Sequence, residues 1–168
     1  DPWRQDRSDR GLHRWHPCGR QKGGALVGVT RRGPATKIMA IADARGVPIA
    51  IGLASGPCHE APLVEATLGR RFVRGRLIRL IGDKAYDSNK LDAALRKRGI
   101  DMIAPNHSTR KQNQDGRKLR RYKRRWLIER VFAWLMRSRR LVTRYEHQAK
   151  NFLAFLELAC AVILLRRF

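Results

Sequence analysis

The sequence predicts an α/β fold in which helices flank a mixed β-sheet. Two apolar runs, at residues 36–43 and 47–56, are separated by a short polar turn and are typical of a β-hairpin. A strand–helix–strand unit follows, with its elements at residues 76–83, 88–99 and 100–106. Two more helical patterns, at residues 124–141 and 148–166, complete the chain.

The first half of the fold depends on one turn and one helix. Residues 43–46 read DARG, and Asp43 is the residue type whose side chain stabilises a tight turn between two strands. Residues 58–72 have helical periodicity, which places Leu63, Val64 and Leu68 on one apolar face. We therefore expect a hairpin followed by a helix that packs against it.

The strand–helix–strand unit has clear boundaries. Its first strand ends at Asp83, and Ser88 is a good N-cap for the helix that follows. Gly99 is placed to end that helix, and Pro105 stops the second strand.

The charge of the chain points to a polyanionic partner. The 168 residues include 37 Lys and Arg against 14 Asp and Glu, which gives a net charge of +23. Solubility alone does not require so large a surplus, so nucleic acid is the first candidate. The density is highest at residues 110–125, where nine Lys and Arg accompany one acid, and Arg137 begins a second basic run, RSRR.

The cysteines and the apolar runs indicate which other classes of protein the chain is not expected to belong to. Cys18, Cys58 and Cys160 are far apart, so the sequence predicts neither a zinc ribbon nor a disulfide framework, and a reducing cytoplasm fits best. The longest apolar run, at residues 152–165, contains Glu157 and is shorter than the ~20 residues of a membrane span. We expect no membrane association and a buried C-terminal helix. The chain begins with Asp, which suggests a fragment or an unusual start.

Two carboxylates are candidates for chemistry. Asp83 follows an apolar strand, where catalytic groups often collect, although it could simply begin the turn before Ser88. Glu129 lies among apolar residues near the edge of a buried helix face, where a carboxylate needs a cation or a metal. The alternative for Glu129 is an ordinary ion pair with Arg125, four residues earlier.

The helix that contains Glu129 presents a second pattern. Tyr122, Arg125 and Glu129 have the spacing Y-x-x-R-x-x-x-E, which places all three on one stripe of a single helix. An Arg on such a stripe can clamp a phosphate while the Glu holds a metal. This arrangement is the one that phosphodiester chemistry requires.

Several blocks of residues 23–168 resemble, in order, the catalytic domain of bacterial DDE-type insertion-sequence transposases. The blocks include TKIMAIAD, LIGDKAYDS, YKRRWLIERVFAWL and NFLAFLELACAVILL, and the similarity is greatest to the large family numbered five. The resemblance implies an RNase H-like fold and three acids that bind two divalent ions, normally Mg²⁺, with Mn²⁺ as a substitute. It also implies double-stranded DNA as the partner, a homo-oligomer on that DNA and a nucleoid location.

Within this family pattern, Asp83 matches the second acid and Glu129 the third, as catalytic and metal-binding residues. Tyr122 and Arg125 match the signature around the third acid. One departure is Met136, which stands where the family usually has Lys, with Arg137 next to it. His59 also matches a family position, but it could equally be a histidine at the start of a helix. The predicted DNA-binding residues are Lys84, Arg117, Lys118, Arg120, Arg121, Tyr122, Lys123, Arg124, Arg125 and Arg137.

The first acid of the family is missing from its expected place. That place is near Arg14 and Trp15, within residues 1–22, a segment that has no strand or helix period. Read one nucleotide later, the codons from Arg14 to Pro17 can encode Asp-Gly-Thr, the family's first-acid motif. We therefore expect residues 1–22 to be irregular or out of frame, through programmed frameshifting or decay of the gene. The first strand would then be missing or badly replaced.

These observations leave two leading functions. The first is a transposase catalytic domain that cuts and joins DNA at insertion-sequence ends but is incomplete alone. The alternative is a non-catalytic DNA-binding fragment of such an enzyme. A third class, a ribosomal-type RNA-binding protein, would not be expected to have acids aligned at a strand end and in the middle of a helix.

Overall fold

The computed structural model describes residues 13–17, 24–31, 33–73, 77–106 and 124–166. The described strands form two sheets. Four strands make an antiparallel sheet around the long central strand β3: β1 (His13–Pro17), β2 (Gly28–Thr30), β3 (Gly33–Ala42) and β4 (Pro48–Ser55). Two further strands, β5 (Arg79–Ile81) and β6 (Asp101–Ile103), pair in parallel. The predicted single mixed sheet is therefore divided, among the described residues, into an antiparallel and a parallel sheet.

The β3–β4 hairpin confirms the predicted turn. Asp43 Oδ1 accepts hydrogen bonds from the backbone N–H groups of Arg45 and Val47, both at 2.8 Å. Gly46 has a φ of +77°, a conformation that glycine adopts without strain. Residues 35–41 of β3 are buried without interruption, so the strand is covered on both faces.

The boundaries of the strand–helix–strand unit also agree with the sequence signals. Helix α1 (Ala61–Gly69) covers the hairpin, and helix α2 (Asn89–Lys97) connects β5 to β6. Ser88 Oγ accepts a hydrogen bond from the backbone N–H of Leu91 at 3.4 Å, as expected of an N-cap. Gly99 ends the helix region with a φ of +70°.

The sequence predicted that the first strand would be missing, badly replaced or out of frame. The strand is not missing, since residues 13–17 form β1 and pair antiparallel with β3, from His13 opposite Met39 to Pro17 opposite Ala35. That these residues are read out of frame stays a prediction. Strand pairing uses backbone N–H and C=O groups, so an extended segment can complete an open sheet edge whatever its side chains are.

The predicted helix at residues 124–141 is two helices. Helix α3 (Trp126–Leu135) ends at a turn, and the short helix α4 (Arg139–Val142) begins after Ser138, whose backbone is extended. This break allows both Leu135 and Leu141 to reach the core.

The C-terminal helix α5 (Ala149–Leu165) was predicted to be buried, and that prediction is wrong for one face. The side chains that alternate with its buried ones remain exposed: Phe155, Leu158, Val162 and Leu165. No described helix is both long enough and apolar enough to cross a membrane.

One buried cation joins the C-terminal region to the central strand. The Arg144 guanidinium donates hydrogen bonds to Thr36 Oγ1 on β3 and to the backbone oxygens of Glu146 and His147. It also lies over the ring of Phe152 on α5. The contacts fix the segment before α5 against the antiparallel sheet.

Candidate functional site

Asp83 lies just beyond the end of β5, as the sequence predicted. Its side chain is buried, with 9% of the residue exposed, and Oδ1 accepts a hydrogen bond from the backbone N–H of Ala85 at 2.9 Å. This contact caps a 3₁₀ turn at Lys84–Tyr86. Asp83 therefore has the turn-starting role that the sequence left open. The other carboxylate oxygen of Asp83, Oδ2, takes no part in this hydrogen bond.

A buried ion pair between Lys37 and Glu60 lies in the same part of the fold. Lys37 is on β3 with only 1% of the residue exposed, and its ammonium contacts Glu60 Oε1 and the backbone oxygen of Cys58, both at 2.5 Å. Glu60 is the residue before α1, so the pair ties that helix to the central strand. A lysine this deeply buried requires such partners.

Tyr86 is affected by the charges of both Glu60 and Asp83. The tyrosine is fully buried, and burial raises the pKa of its phenol well above the ordinary value of 10.0, with smaller contributions from the charges of Asp83 and Glu60. Both carboxylates therefore act on the same hydroxyl group. The resulting cluster, which we call the Asp83 cluster, consists of Lys37, Glu60, Asp83 and Tyr86.

Glu129 has the neighbour that its ion-pair alternative predicted. Its Oε1 lies 3.7 Å from Arg125 Nη2, and about a third of its side chain is exposed. Arg125 lies in the helical turn that leads directly into α3, so it and Glu129, four residues later, lie on one face as the predicted stripe requires. Tyr122, the first residue of the stripe, lies outside the described residues.

The fit to a two-ion centre is partial. Asp and Glu carboxylates are the ligands that Mg²⁺ prefers. However, the described part of the chain contains no group of three His, Cys, Asp or Glu side chains that could hold one ion. The pairing of β1 with β3 shows where the first acid would lie. Its expected place is near Arg14 and Trp15, and these residues lie opposite Ile38 and Lys37 of β3, respectively. That place is therefore next in the sheet to a member of the Asp83 cluster.

Some of the predicted DNA-binding residues are described and others are not. Lys84, Arg124 and Arg137 are exposed, and Arg125 is partly buried. The rest lie outside the described residues: Arg117, Lys118, Arg120, Arg121, Tyr122 and Lys123.

The two positions that the sequence left in doubt are also described. Met136 is partly buried and packs against the core, whereas Arg137 points to solvent just after α3. His59 is exposed and precedes α1, which begins at Ala61.

Sequence reasoning missed Lys37, Glu60 and Tyr86. A signal was present for Lys37, since a lysine inside the apolar run TKIMAIA of a doubly covered strand needs a buried partner. No spacing rule indicated Glu60, because 23 residues separate it from Lys37.

Comparisons with known proteins find transposases that are similar to this chain. Residues 16–164 match the family model described as the transposase DDE domain. The chain is 34% identical over 141 residues to a protein of Burkholderia cepacia that is named as a transposase for insertion sequence element IS402. It is 33% identical over 133 residues to a protein of Brucella ovis that is named as a transposase for insertion sequence element IS6501.

The two relatives differ in how far the chain spans them. The matches cover 79% and 78% of this chain, and they cover 64% of the Burkholderia protein but 98% of the Brucella protein. No solved structure matches the chain.

Proposed function

Because this chain belongs to the family of transposases with a DDE domain, we propose that it is the catalytic domain of an insertion-sequence transposase with an RNase H-like fold. Its substrate is double-stranded DNA at the ends of the element. Once the missing first acid is supplied, the domain would cut this DNA and join it to a target, as an oligomer on bacterial DNA. The insertion-sequence family numbered five is the one that its motifs fit best. The family match over residues 16–164 is the observation that carries this proposal.

Asp83 and Glu129 are the two acids that we assign to the catalytic site. Asp83 is held by a capping hydrogen bond at the end of a strand, so its carboxylate has a fixed position. Glu129 is partly exposed on α3 and can exchange its long contact with Arg125 for another cation.

Transposases of this family use divalent metal ions, and we propose Mg²⁺ here, with Mn²⁺ as a substitute. Bound ions would stabilise charge on the attacking and leaving oxygens of the phosphodiester. Two acids are fewer than a two-ion centre needs, so this chain alone would form the centre only in part. Lys37 and Glu60 would fix the fold beside Asp83 and contribute no ligand, because they already pair with each other.

The positive surface would bind the DNA backbone. Lys84, Arg124 and Arg137 are exposed, and the net charge of +23 provides a large excess of cations over acids. Each phosphate that a cation neutralises makes binding more salt-dependent, by a slope of about −0.9 in log affinity against log salt. DNA binding should therefore weaken steeply as salt concentration rises.

A second function is favoured by the absence of a three-acid group from the described residues. The chain could bind transposon ends without cutting them, and so act as a regulatory fragment or the product of a decayed gene.

A cleavage assay on the DNA ends of the chain's own element separates the two functions. It should compare this chain with a joined chain, in which the upstream reading frame replaces residues 1–22. The proposal expects both chains to bind and the joined chain to cut with Mg²⁺ or Mn²⁺, because these residues then supply two of the three acids of a working centre. If the joined chain binds the ends but does not cut them, residues 23–168 are not a working catalytic domain and the non-catalytic fragment is supported.

A further inference from the structure

The exposed face of α5 has a row of apolar side chains, which we call the α5 stripe. Its members are Phe155, Leu158, Val162 and Leu165. Successive members are three, four and three residues apart, which is the spacing of apolar residues in helices that pack against another helix. Leu158 is 62% exposed and Leu165 is 76% exposed, so the stripe is open to solvent in the described structure.

The composition of α5 makes this exposure unfavourable. The opposite face of the helix packs into the core through four side chains: Phe152, Leu156, Cys160 and Ile163. Within residues 151–165, the one charged side chain is that of Glu157. A helix that is apolar on all sides is normally buried, and contiguous exposed apolar surface marks an interaction site. We therefore expect a partner to cover the stripe.

The apolar surface continues onto the segment before α5. The Arg140 guanidinium lies 5.4 Å from the centroid of the Phe155 ring and 5.6 Å from that of Tyr145, so it joins the two rings. Tyr145 is 54% exposed. Arg140 Nε also donates a hydrogen bond to Glu146 Oε1 at 2.8 Å, so a carboxylate balances the charge of this cation. The two rings therefore widen the surface at one end without adding net charge.

Two possible partners fit the stripe poorly. DNA binds through cations that neutralise its phosphates, and residues 151–165 contain no Lys or Arg. The residues of this chain outside the described ranges are mostly polar and basic, and apolar side chains occur only singly among them. A row of four apolar side chains needs an apolar partner of similar length.

A second copy of the chain is a better partner. Two identical stripes complement each other about a two-fold axis, and their spacing allows the side chains of one helix to pack between those of the other. Each copy has a net charge of +23, so two copies repel each other except where their surfaces are uncharged. Helix α5 offers such a surface over a length of about 26 Å, at 1.5 Å per residue.

We propose that two copies of the chain form a dimer through the α5 stripe, and that this dimer forms without DNA. The inference deepens the proposed function, on which it rests for the expectation of an oligomer, by assigning the surface through which the copies meet. A contact made by one helix and its flanking segment is small for a protein interface. The dimer should therefore form and dissociate over the micromolar concentration range.

The test is sedimentation equilibrium of the full chain without DNA, at a salt concentration that screens its charge. The unchanged chain should shift from monomer to dimer as its concentration rises. Leu158→Glu keeps a good helix former but places a charge in the middle of the stripe. It should raise the dimer dissociation constant at least about 30-fold, the effect of an interface hot spot. Leu158→Met should change that constant by less than about tenfold, because it preserves apolar volume.

A matched variant outside the stripe controls for the added charge. Ile78 is also apolar and is 54% exposed, but it lies just before β5. Ile78→Glu should therefore have the dissociation constant of the unchanged chain. If circular dichroism shows that Leu158→Glu does not fold, Leu165→Glu at the end of α5 takes its place.

Three outcomes would overturn the α5 dimer. One is a chain that is monomeric at every concentration, whether or not it binds neutral phosphatidylcholine vesicles as a lipid-covered stripe would. Another is a dimer that Leu158→Glu and Ile78→Glu weaken equally. The third is a joined chain that stays monomeric while this chain dimerises, since the upstream segment would then cover the stripe.

Binding to the DNA ends, measured separately, distinguishes this inference from the proposed function. A monomer that binds the ends overturns the dimer alone. A dimer that does not bind them at low salt supports the α5 interface and overturns the proposed function.

Discussion

Replacing Lys37 by Met would test whether the buried ion pair supports the Asp83 cluster. The substitution preserves most of the volume of a side chain that is 1% exposed and removes its charge. Glu60, whose side chain is only 16% exposed, would then lose the cation that it contacts. The backbone oxygen of Cys58 would lose a hydrogen bond at the same time.

The expected cost follows from this burial. Removing one partner of a buried pair destabilises a protein by about 3–5 kcal/mol, since the remaining charge is left in an apolar environment. For a chain of this size, each 1 kcal/mol lowers the Tm by about 2–4 °C, so the Tm should fall by about 6–20 °C. Replacing both partners by Met should recover most of this loss, because neither charge remains.

Urea denaturation of the single and double variants measures the effect as a free energy of unfolding. The matched control is Arg125→Met, which breaks a longer and more exposed pair with Glu129 and should cost less than about 1 kcal/mol. A loss below about 1 kcal/mol for Lys37→Met, or a double variant less stable than the single, would show that the pair does not have this role.

Three other predictions concern stability and reactivity. Arg144→Met should lower the free energy of unfolding by about 2–5 kcal/mol, because it leaves buried acceptors unsatisfied, and Arg144→Lys should not rescue it in thermal denaturation. Burial raises the pKa of Tyr86, so the unfolded chain ionises first and the free energy of unfolding should fall as pH rises above 10.0, by up to about 1.4 kcal/mol per pH unit. Tyr86→Phe should have a shallower slope, and an unchanged slope would contradict the assignment. Burial, with a smaller effect of the Glu157 charge, raises the pKa of Cys160 to about 12. In iodoacetamide labelling at pH 8, exposed Cys58 should therefore react, while Cys160 should react only on unfolding.

Much of the fold could be predicted because its signals are local. Asp43 stabilises its turn through contacts within four residues, and Ser88 and Gly99 bound α2 as their residue types indicate. The break between α3 and α4 could not be predicted, since no Gly or Pro marks it and it follows from packing Leu135 and Leu141 into one core. The β1 pairing was missed because backbone hydrogen bonds form without a side-chain pattern.

The candidate site could be predicted only in part, because some of its contacts join residues that are far apart in the sequence. Asp83 could be placed from the strand that precedes it, because a strand end is visible in the sequence. The contact between Lys37 and Glu60 depends on how α1 packs against β3, which no local pattern specifies. Whether Glu129 approaches Asp83 also depends on tertiary packing, so its catalytic role remains a prediction.

The most direct measurement of the central claim is the rate at which the joined chain cleaves the ends of its own element with Mg²⁺. Asp83→Asn should abolish cleavage while leaving DNA binding unchanged. Asp87→Asn, which changes a partly buried acid four residues later, should cleave like the unchanged chain. Cleavage that persists in Asp83→Asn, or that is lost equally in both variants, would contradict the assignment of Asp83 as a catalytic acid.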